Sequence, residues 1–456
     1  MKPFKLEWAA TKLGVDMHSD VLVQTVSTDT RTLERGSLYF ALPGENSDGH
    51  IWLFQAADKG AVGAVVSKRN SDCALPQIVV KDTLEAYGTL AHHYRTQFSI
   101  PLVGITGSYG KTSVKEMVAS ILANVGNTLC SEANYNNEIG VPKTLFQLDD
   151  SHKFAVIEMG MRGMGQIDYL ARIAQPNCAV ITALGLSHVE LLGSPEKIAE
   201  AKSEILLSLA PDNIAVLPRD TALFPILESR VPAGVRTVTF SASADSGADV
   251  CLSQDQKAIN YDNNLYPLKI GLPGSHHKYN ACAAFATAMA LGIDPFVTMK
   301  AIGEWKGATG RMSIRTSTMG YTILDDCYNA APESMLAALR TLVELASDGS
   351  RVAILGDMRE LGDYSAAAHK QLGAQVIDAN LRLLITVGES SKLIAMEAIR
   401  DCPDLQSIHY PEASTALNEV KSLLQPHDFV LIKGSHAMQL ETIVEHILGE
   451  GARTND

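Results

Sequence analysis

The chain has 456 residues, 46% of them hydrophobic and 20% charged, which excludes a disordered or collagen-like polypeptide. Lys and Arg number 38 against 51 Asp and Glu, a formal charge of −13, which argues against a protein that coats nucleic acid, since phosphate backbones require a basic face. At about 150 residues per domain, the length suggests about three domains. The opening residues Met1–Gly14 hold no long apolar run and no stretch reaches about 18 apolar residues, so neither a secretory leader nor membrane insertion is expected. The seven cysteines are scattered, with no C-x-x-C pair, as in a cytoplasmic protein with reduced thiols.

In chain order, residues 1–98 carry short apolar runs, Ser37–Leu42 and Gly63–Val66, and read as a small α/β unit. At Leu102–Thr106 a buried strand is predicted, then a Gly-rich turn, then a helix over Ser113–Asn124. Strands are predicted at Ala155–Met159, Ala179–Thr182 and Ile214–Leu217, with a helix over Pro195–Leu209. The stretch Gly274–Asn280 (GSHHKYN) is expected to precede an Ala-rich helix, Ala281–Leu291. A third section begins near Gly307, with strands at Tyr321–Leu324, Arg351–Leu355, Leu383–Val387 and Phe429–Ile432 and a helix over Ser334–Leu345. This alternation implies an α/β protein with doubly wound parallel sheets, whose functional groups gather at the carboxyl ends of strands. The expected limits are 1–98, 99–308 and 309–456.

The strongest chemical signal is Thr106-Gly-Ser-Tyr-Gly-Lys-Thr112, between a predicted strand and a predicted helix, the setting of a phosphate-binding loop. Gly107 and Gly110 let the backbone curl so that N–H groups, with those of Ser108 and Ser113, face phosphate oxygens. Lys111 would offset β/γ-phosphate charge and Thr112 would hold Mg2+. Gly104 stands one position from the commonest spacing, so the core reads G-x-x-G-K-T. Glu158 ends a strand where a carboxylate can reach that cation, and His188 follows another strand, where imidazole can ligate metal. Lys202, on a helix, reads as a solvated lysine, and Arg311 as a surface arginine.

Taken in order, these pieces resemble the Mur ligases, the ATP-dependent amide ligases of peptidoglycan precursor synthesis. Further stretches carry the resemblance: Asn134–Pro142 (NYNNEIGVP), Glu158–Met161 (EMGM), Asp325–Met335 (DDCYNAAPESM), Gly356–Gly362 (GDMRELG) and Lys433–Met438 (KGSHAM). Within the family the chain most resembles the branch that adds D-alanyl-D-alanine to UDP-N-acetylmuramoyl-tripeptide. The resemblance implies a small N-terminal α/β UDP-substrate domain, a central P-loop ATPase domain with a parallel sheet and a C-terminal Rossmann-like domain. It implies substrate contacts at Ser27, Thr28, Asp29, Thr30 and Arg31, at the second motif Asp48–His50, and at Asn134, Asn136, Asn137 and Lys433. It makes Thr112, Glu158 and His188 ligands of one or two Mg2+, and matches Lys202 to a lysine carbamylated in several members. His276 belongs to the same motif as Asn280, which becomes an adenine contact; Arg311 reaches the phosphates, Asp326 the ribose, and Tyr328 and Asn329 border the nucleotide. Asp357 and Glu360 would line the face where the dipeptide meets the acceptor.

Four residues depart from the family pattern, Ala183, His277, Ala331 and His436, and none is a P-loop or metal position. The implied chemistry is phosphorylation of the tripeptide carboxylate by ATP and attack of the dipeptide amine on the acyl phosphate, in a cytoplasmic monomer whose third domain moves to complete the site. Competing readings are a related amino-acid ligase of the Mur or folylpolyglutamate type, and a nucleotide switch. The absence of a guanine-reading N-K-x-D motif in its expected place disfavours a GTPase.

Overall fold

The computed structural model describes residues 1–44, 48–307, 310–347, 349–449 and 453–454. The expected limit between residues 308 and 309 lies outside the described residues. The architecture is α/β, with one principal sheet in each of three regions, as the alternation of apolar runs and helical segments implied.

The N-terminal region holds a parallel sheet in the order Thr25–Ser27, Ser37–Phe40, Gly63–Val66, Gln77–Val79. Its last helix, Thr83–Arg95, is capped by Asp82, whose carboxylate accepts from the N–H groups of Leu84 and Glu85. That helix carries Tyr87, Leu90 and Tyr94 into an apolar core continuous with the central region. The Tyr94 hydroxyl fastens the junction by donating to the Leu148 carbonyl at 2.5 Å.

The central sheet places Leu102–Thr106 between Cys178–Ile181 and Phe154–Glu158, all parallel. These strands are apolar on both faces because helices cover both, which is why they read as unbroken hydrophobic runs. From the Leu102–Thr106 strand the chain winds first to one side and then to the other, so its carboxyl end is a topological switch point where ligands gather. The order continues through Ile214–Pro218, Arg236–Ser241 and Val250–Leu252 to an antiparallel edge, Ala258–Tyr261 and Asn264–Pro267.

The third sheet runs Gln406–Tyr410, Leu383–Val387, Arg351–Gly356, Phe429–Lys433, Thr322–Asp326 in parallel, with Ser313–Thr316 antiparallel at one side. Register pairs Asp326 with Lys433, so two strand ends far apart in sequence deliver opposite charges to one point.

Two helices differ from expectation. The helix expected from Ala281 is Ser275–Ala290, so His276, His277 and Asn280 lie in its first two turns rather than in a preceding loop. The helix expected over Pro195–Leu209 is α-helical only over Pro195–Ser203 and tightens to a 3-10 turn over Glu204–Ser208. In that segment the Glu204 carboxylate accepts from the N–H groups of Gly165 and Asp168 at 2.7 and 3.2 Å, tying it to the neighbouring helix.

Candidate functional site

The helix Lys111–Ala123 begins directly after the glycine turn. Gly107 (φ +155°) and Gly110 (φ +81°) take backbone conformations that L side chains rarely adopt. The turn is strapped to the loop after the neighbouring strand: Ser108 N–H donates to the Ala183 carbonyl at 2.7 Å, and the Thr182 hydroxyl donates to the Tyr109 carbonyl at 2.6 Å. Thus Ala183, one of the four departures, serves through its backbone. A Cβ at Gly110 would lie 2.5 Å from Asn280 Oδ1, so the glycine turn and the start of the Ser275–Ala290 helix already pack together. Gly110→Ala is expected to lower stability by about 1–3 kcal/mol through positive-φ strain and to displace Asn280. Thermal melting checks it, and an unchanged midpoint would count against the strain.

Two lysines converge on this loop. Lys111 Nζ and Lys202 Nζ both donate to the Gly107 carbonyl, at 2.8 and 2.9 Å. Lys202 is 1% exposed, so the solvated-lysine reading is overturned: its side chain is buried against the Gly107 carbonyl. Burial, then the nearby Lys111 charge, pushes the Lys202 pKa well below its ordinary value. Desolvation also lowers the Lys111 pKa, opposed by Glu158.

Opposite the loop, the Thr112 hydroxyl donates to Glu158 Oε2 at 2.9 Å, and Asn136 Nδ2 donates to Glu158 Oε1 at 2.8 Å. Glu158 is buried, and Ser131 Oγ accepts from its backbone N–H at 3.1 Å. Asn137 Oδ1 accepts from Gly140 N–H at 2.9 Å at the start of a short helix, and Asn134 borders the same space. Thr106 is wholly buried, and Ser113 is buried yet lines the cleft.

The third region closes the other side. Arg311 lies over the Tyr328 ring, 4.1 Å from its centroid, and its charge reaches Lys111, so the surface-arginine reading is also overturned. His436, where the family has arginine, stacks on Tyr328 at 6.3 Å with 9° between the rings. Lys433 Nζ pairs with Asp326 Oδ2 at 2.6 Å and donates to the Asn329 carbonyl at 2.7 Å. Removing one partner of so buried a pair strands a charge, so Lys433→Met is expected to cost about 3–5 kcal/mol, most of it recovered when Asp326→Asn is added. Urea unfolding of the single and double variants checks this, and an additive double variant would refute the pairing.

These groups surround one cleft of about 860 Å³, bordered by residues of all three regions, from Asp82 and Glu85 to Lys111, Glu158, Arg311 and Lys433. Sequence reasoning missed Glu333 as a site residue. It stands second in a helix opened by Pro332, reaches across to accept from Leu186 N–H at 3.3 Å, and leaves its buried Oε2 without a partner among the described residues. A carboxylate in a first helical turn ordinarily reads as a capping group, so no signal marked it. His277, another departure, is buried with both ring nitrogens unpartnered among the described residues, and burial pushes its pKa down to about 3.

The expected uridine-nucleotide residues lie outside the lining of this cleft. Asp29 and Arg31 form a bidentate pair, Thr30 donates to Gln55 Oε1 at 2.6 Å, and Ser27 Oγ accepts from Asp29 N–H at 3.2 Å; Thr28 lies between them in the chain. The Asp29 field reaches Lys143, whose Nζ stands 4.3 Å over the Tyr135 ring beside the Asn134–Asn137 loop. In the other motif Asp48 pairs with His50 at 2.6 Å. Asp357 is buried, accepting from Ser391 N–H at 2.7 Å, rather than lining a substrate face.

Comparison with known proteins accounts for this assembly. Residues 105–288 match the Mur ligase middle domain and residues 310–436 match the Mur ligase glutamate ligase domain. The UDP-N-acetylmuramoyl-tripeptide–D-alanyl-D-alanine ligase of Synechocystis is 38% identical over 95% of this chain and 94% of its own. The chain belongs to the Mur ligase family. Among solved Mur ligase structures, MurF of Acinetobacter baumannii superposes with a TM-score of 0.89 at 30% identity, covering 98% of this chain and 99% of its own. The Thermotoga maritima MurF ligase in complex with ADP gives 0.81 at 25% identity, over 93% and 97% of the two chains.

Proposed function

We infer that the protein is an ATP-dependent amide ligase that adds D-alanyl-D-alanine to UDP-N-acetylmuramoyl-tripeptide in peptidoglycan synthesis. The observation that carries this reading is the cleft itself, in which a central phosphate loop faces Arg311 and the Lys433–Asp326 pair of another domain. The full-length likeness to D-alanyl-D-alanine ligases supports it. In this reading residues 1–98 receive the uridine nucleotide through Ser27–Arg31, residues 99–308 bind ATP, and residues 309–456 bring the dipeptide. Among the described residues no helix is long and apolar enough to cross a membrane. The enzyme acts as a cytoplasmic monomer.

The terminal carboxylate of the tripeptide attacks the γ-phosphate, which Lys111, Arg311 and the free N–H groups of the first helical turn hold in place. ADP leaves and an acyl phosphate remains. The D-alanyl-D-alanine amine attacks its carbonyl carbon, a tetrahedral intermediate forms, and inorganic phosphate departs with the amide made. Asn280 and Asp326 orient the nucleoside, with Tyr328 and Asn329 beside it; Asn134, Asn136 and Asn137 border the acceptor peptide.

The donors at Thr112 and Glu158, a hydroxyl and a carboxylate in mutual contact, are hard oxygens of the kind Mg2+ takes. His188 lines the same cleft and would hold a second cation. Bound there, the cations would offset the repulsion between substrate carboxylate and phosphate. Lys202 as an ammonium would repel such an ion. Its depressed pKa favours the free amine, which adds CO2 and loses a proton to become a carbamate, an anionic oxygen ligand.

Phosphate release from ATP is the test, measured with UDP-N-acetylmuramoyl-tripeptide, with and without D-alanyl-D-alanine, with product masses. Release that requires both and yields the pentapeptide is expected. Release independent of both would replace the ligase reading with a nucleotide switch.

A further inference from the structure

One contact between the central and third domains joins two residues with the same unusual backbone. His188 (φ +67°) and Glu360 (φ +61°) are both non-glycine residues in the left-handed region, a conformation held only where surroundings over-determine it. They meet each other across the domain boundary. The Glu360 carboxylate is in direct contact with His188 Nδ1, and the imidazole holds that carboxyl below its usual range. The backbone adds to the contact, since Glu190 N–H donates to the Glu360 carbonyl at 3.2 Å. Two residues on, Gly362 (φ +50°) packs so closely that a Cβ there would lie 3.2 Å from the Glu190 Cα.

This geometry decides which imidazole nitrogen is available. The Glu360 carboxylate stands directly against Nδ1, no carboxylate stands within ion-pair distance of Nε2 among the described residues, and the ring borders the cleft. A carboxylate on one nitrogen fixes the tautomer with the proton on that nitrogen and presents the lone pair of the other. We propose that Glu360 is a positioning residue, which on docking of the third domain holds the His188 Nδ1–H tautomer and turns Nε2 into the cleft. Docking and preparation of His188 are then one event, and through Glu360 the third domain prepares a residue of the central site. The inference rests on the ligase reading for its kinetic consequence and on the contact alone for its spectroscopic one.

The full-length protein is tested with 15N-labelled histidine, reading the His188 tautomer from its ring nitrogen shifts, assigned by its loss in His188→Gln. Glu360→Gly removes the carboxylate and relieves the positive φ, so backbone strain cannot confuse the result, while Glu360→Gln keeps a carbonyl oxygen that accepts from Nδ1–H. Wild type is expected to show the Nδ1–H form, Glu360→Gly a mixture, and Glu360→Gln the wild-type form. Ligation kcat is expected to fall about 10–100-fold in Glu360→Gly, the scale for losing an orienting partner, with ATP KM within about twofold, and to recover largely in Glu360→Gln. An unchanged tautomer in Glu360→Gly overturns the proposal whatever the rate does. A shifted tautomer with undiminished kcat overturns its kinetic half. If wild type makes no pentapeptide the ligase reading fails, and the tautomer still decides the positioning role.

Discussion

Lys111→Met is expected to lower kcat about a thousandfold while leaving the fold intact. Among the described residues Lys111 Nζ donates only to the carbonyls of Gly107 and Ser108, at 2.8 and 3.5 Å, and has no carboxylate within salt-bridge distance. Such a cation adds little to stability. Desolvation and the Arg311 charge both lower its pKa, so folding works against its charged form. A γ-phosphate in the cleft would reverse that balance, because a preorganised charge in a desolvated site stabilises transferring phosphoryl oxygens more strongly than water does. The loss should therefore fall on the chemical step, and the unfolding midpoint should hold or rise slightly. Single-turnover phosphate release with urea unfolding checks both halves. A Lys111→Met enzyme within tenfold of wild type would move the phosphate site elsewhere in the cleft.

The second large effect concerns Lys202, whose Nζ shares the Gly107 carbonyl with Lys111. Wild type stripped of CO2 is expected to lose most of its ligase activity and to regain it on bicarbonate addition, whereas Lys202→Met should be down about a hundredfold and unresponsive. Stability gives an independent sign. The folded pKa lies well below 10.5, so between those two values the folded protein binds fewer protons than the unfolded chain. Unfolding free energy of stripped wild type therefore rises with pH across that window, and the penalty for burying the ammonium is gone above the unfolded value. Lys202→Met lacks this contribution and should be the more stable of the two near neutral pH, the difference narrowing toward pH 10. Carbamate detected by NMR with 13C-bicarbonate would account for the activity pattern. Full activity without CO2 and no carbamate signal would leave Lys202 as a support for the loop alone.

The fold was legible where local pattern and burial agree. Parallel strands covered on both faces require unbroken apolar runs, so Leu102–Thr106, Arg351–Gly356 and Leu383–Val387 stood out within a residue or so. Boundaries failed where tertiary contacts competed with propensity. The Gly274–Asn280 stretch has the polar, glycine-led look of a loop, yet it is helical from Ser275, packed against Trp305 through His277.

The sequence by itself determined the glycine-rich turn between strand and helix and the motifs that mark the family, because each is written in contiguous residues. Only the tertiary structure decided that Lys202 is buried against Gly107 and that Arg311, over Tyr328, borders the same cleft as Lys111. It likewise decided that Asp357 belongs to the interior and that Glu360 reaches His188. The reason is physical: burial and charge pairing depend on which strand ends and loops meet in space. Residues 107 and 202, or 188 and 360, share no local pattern through which a one-dimensional reading could join them.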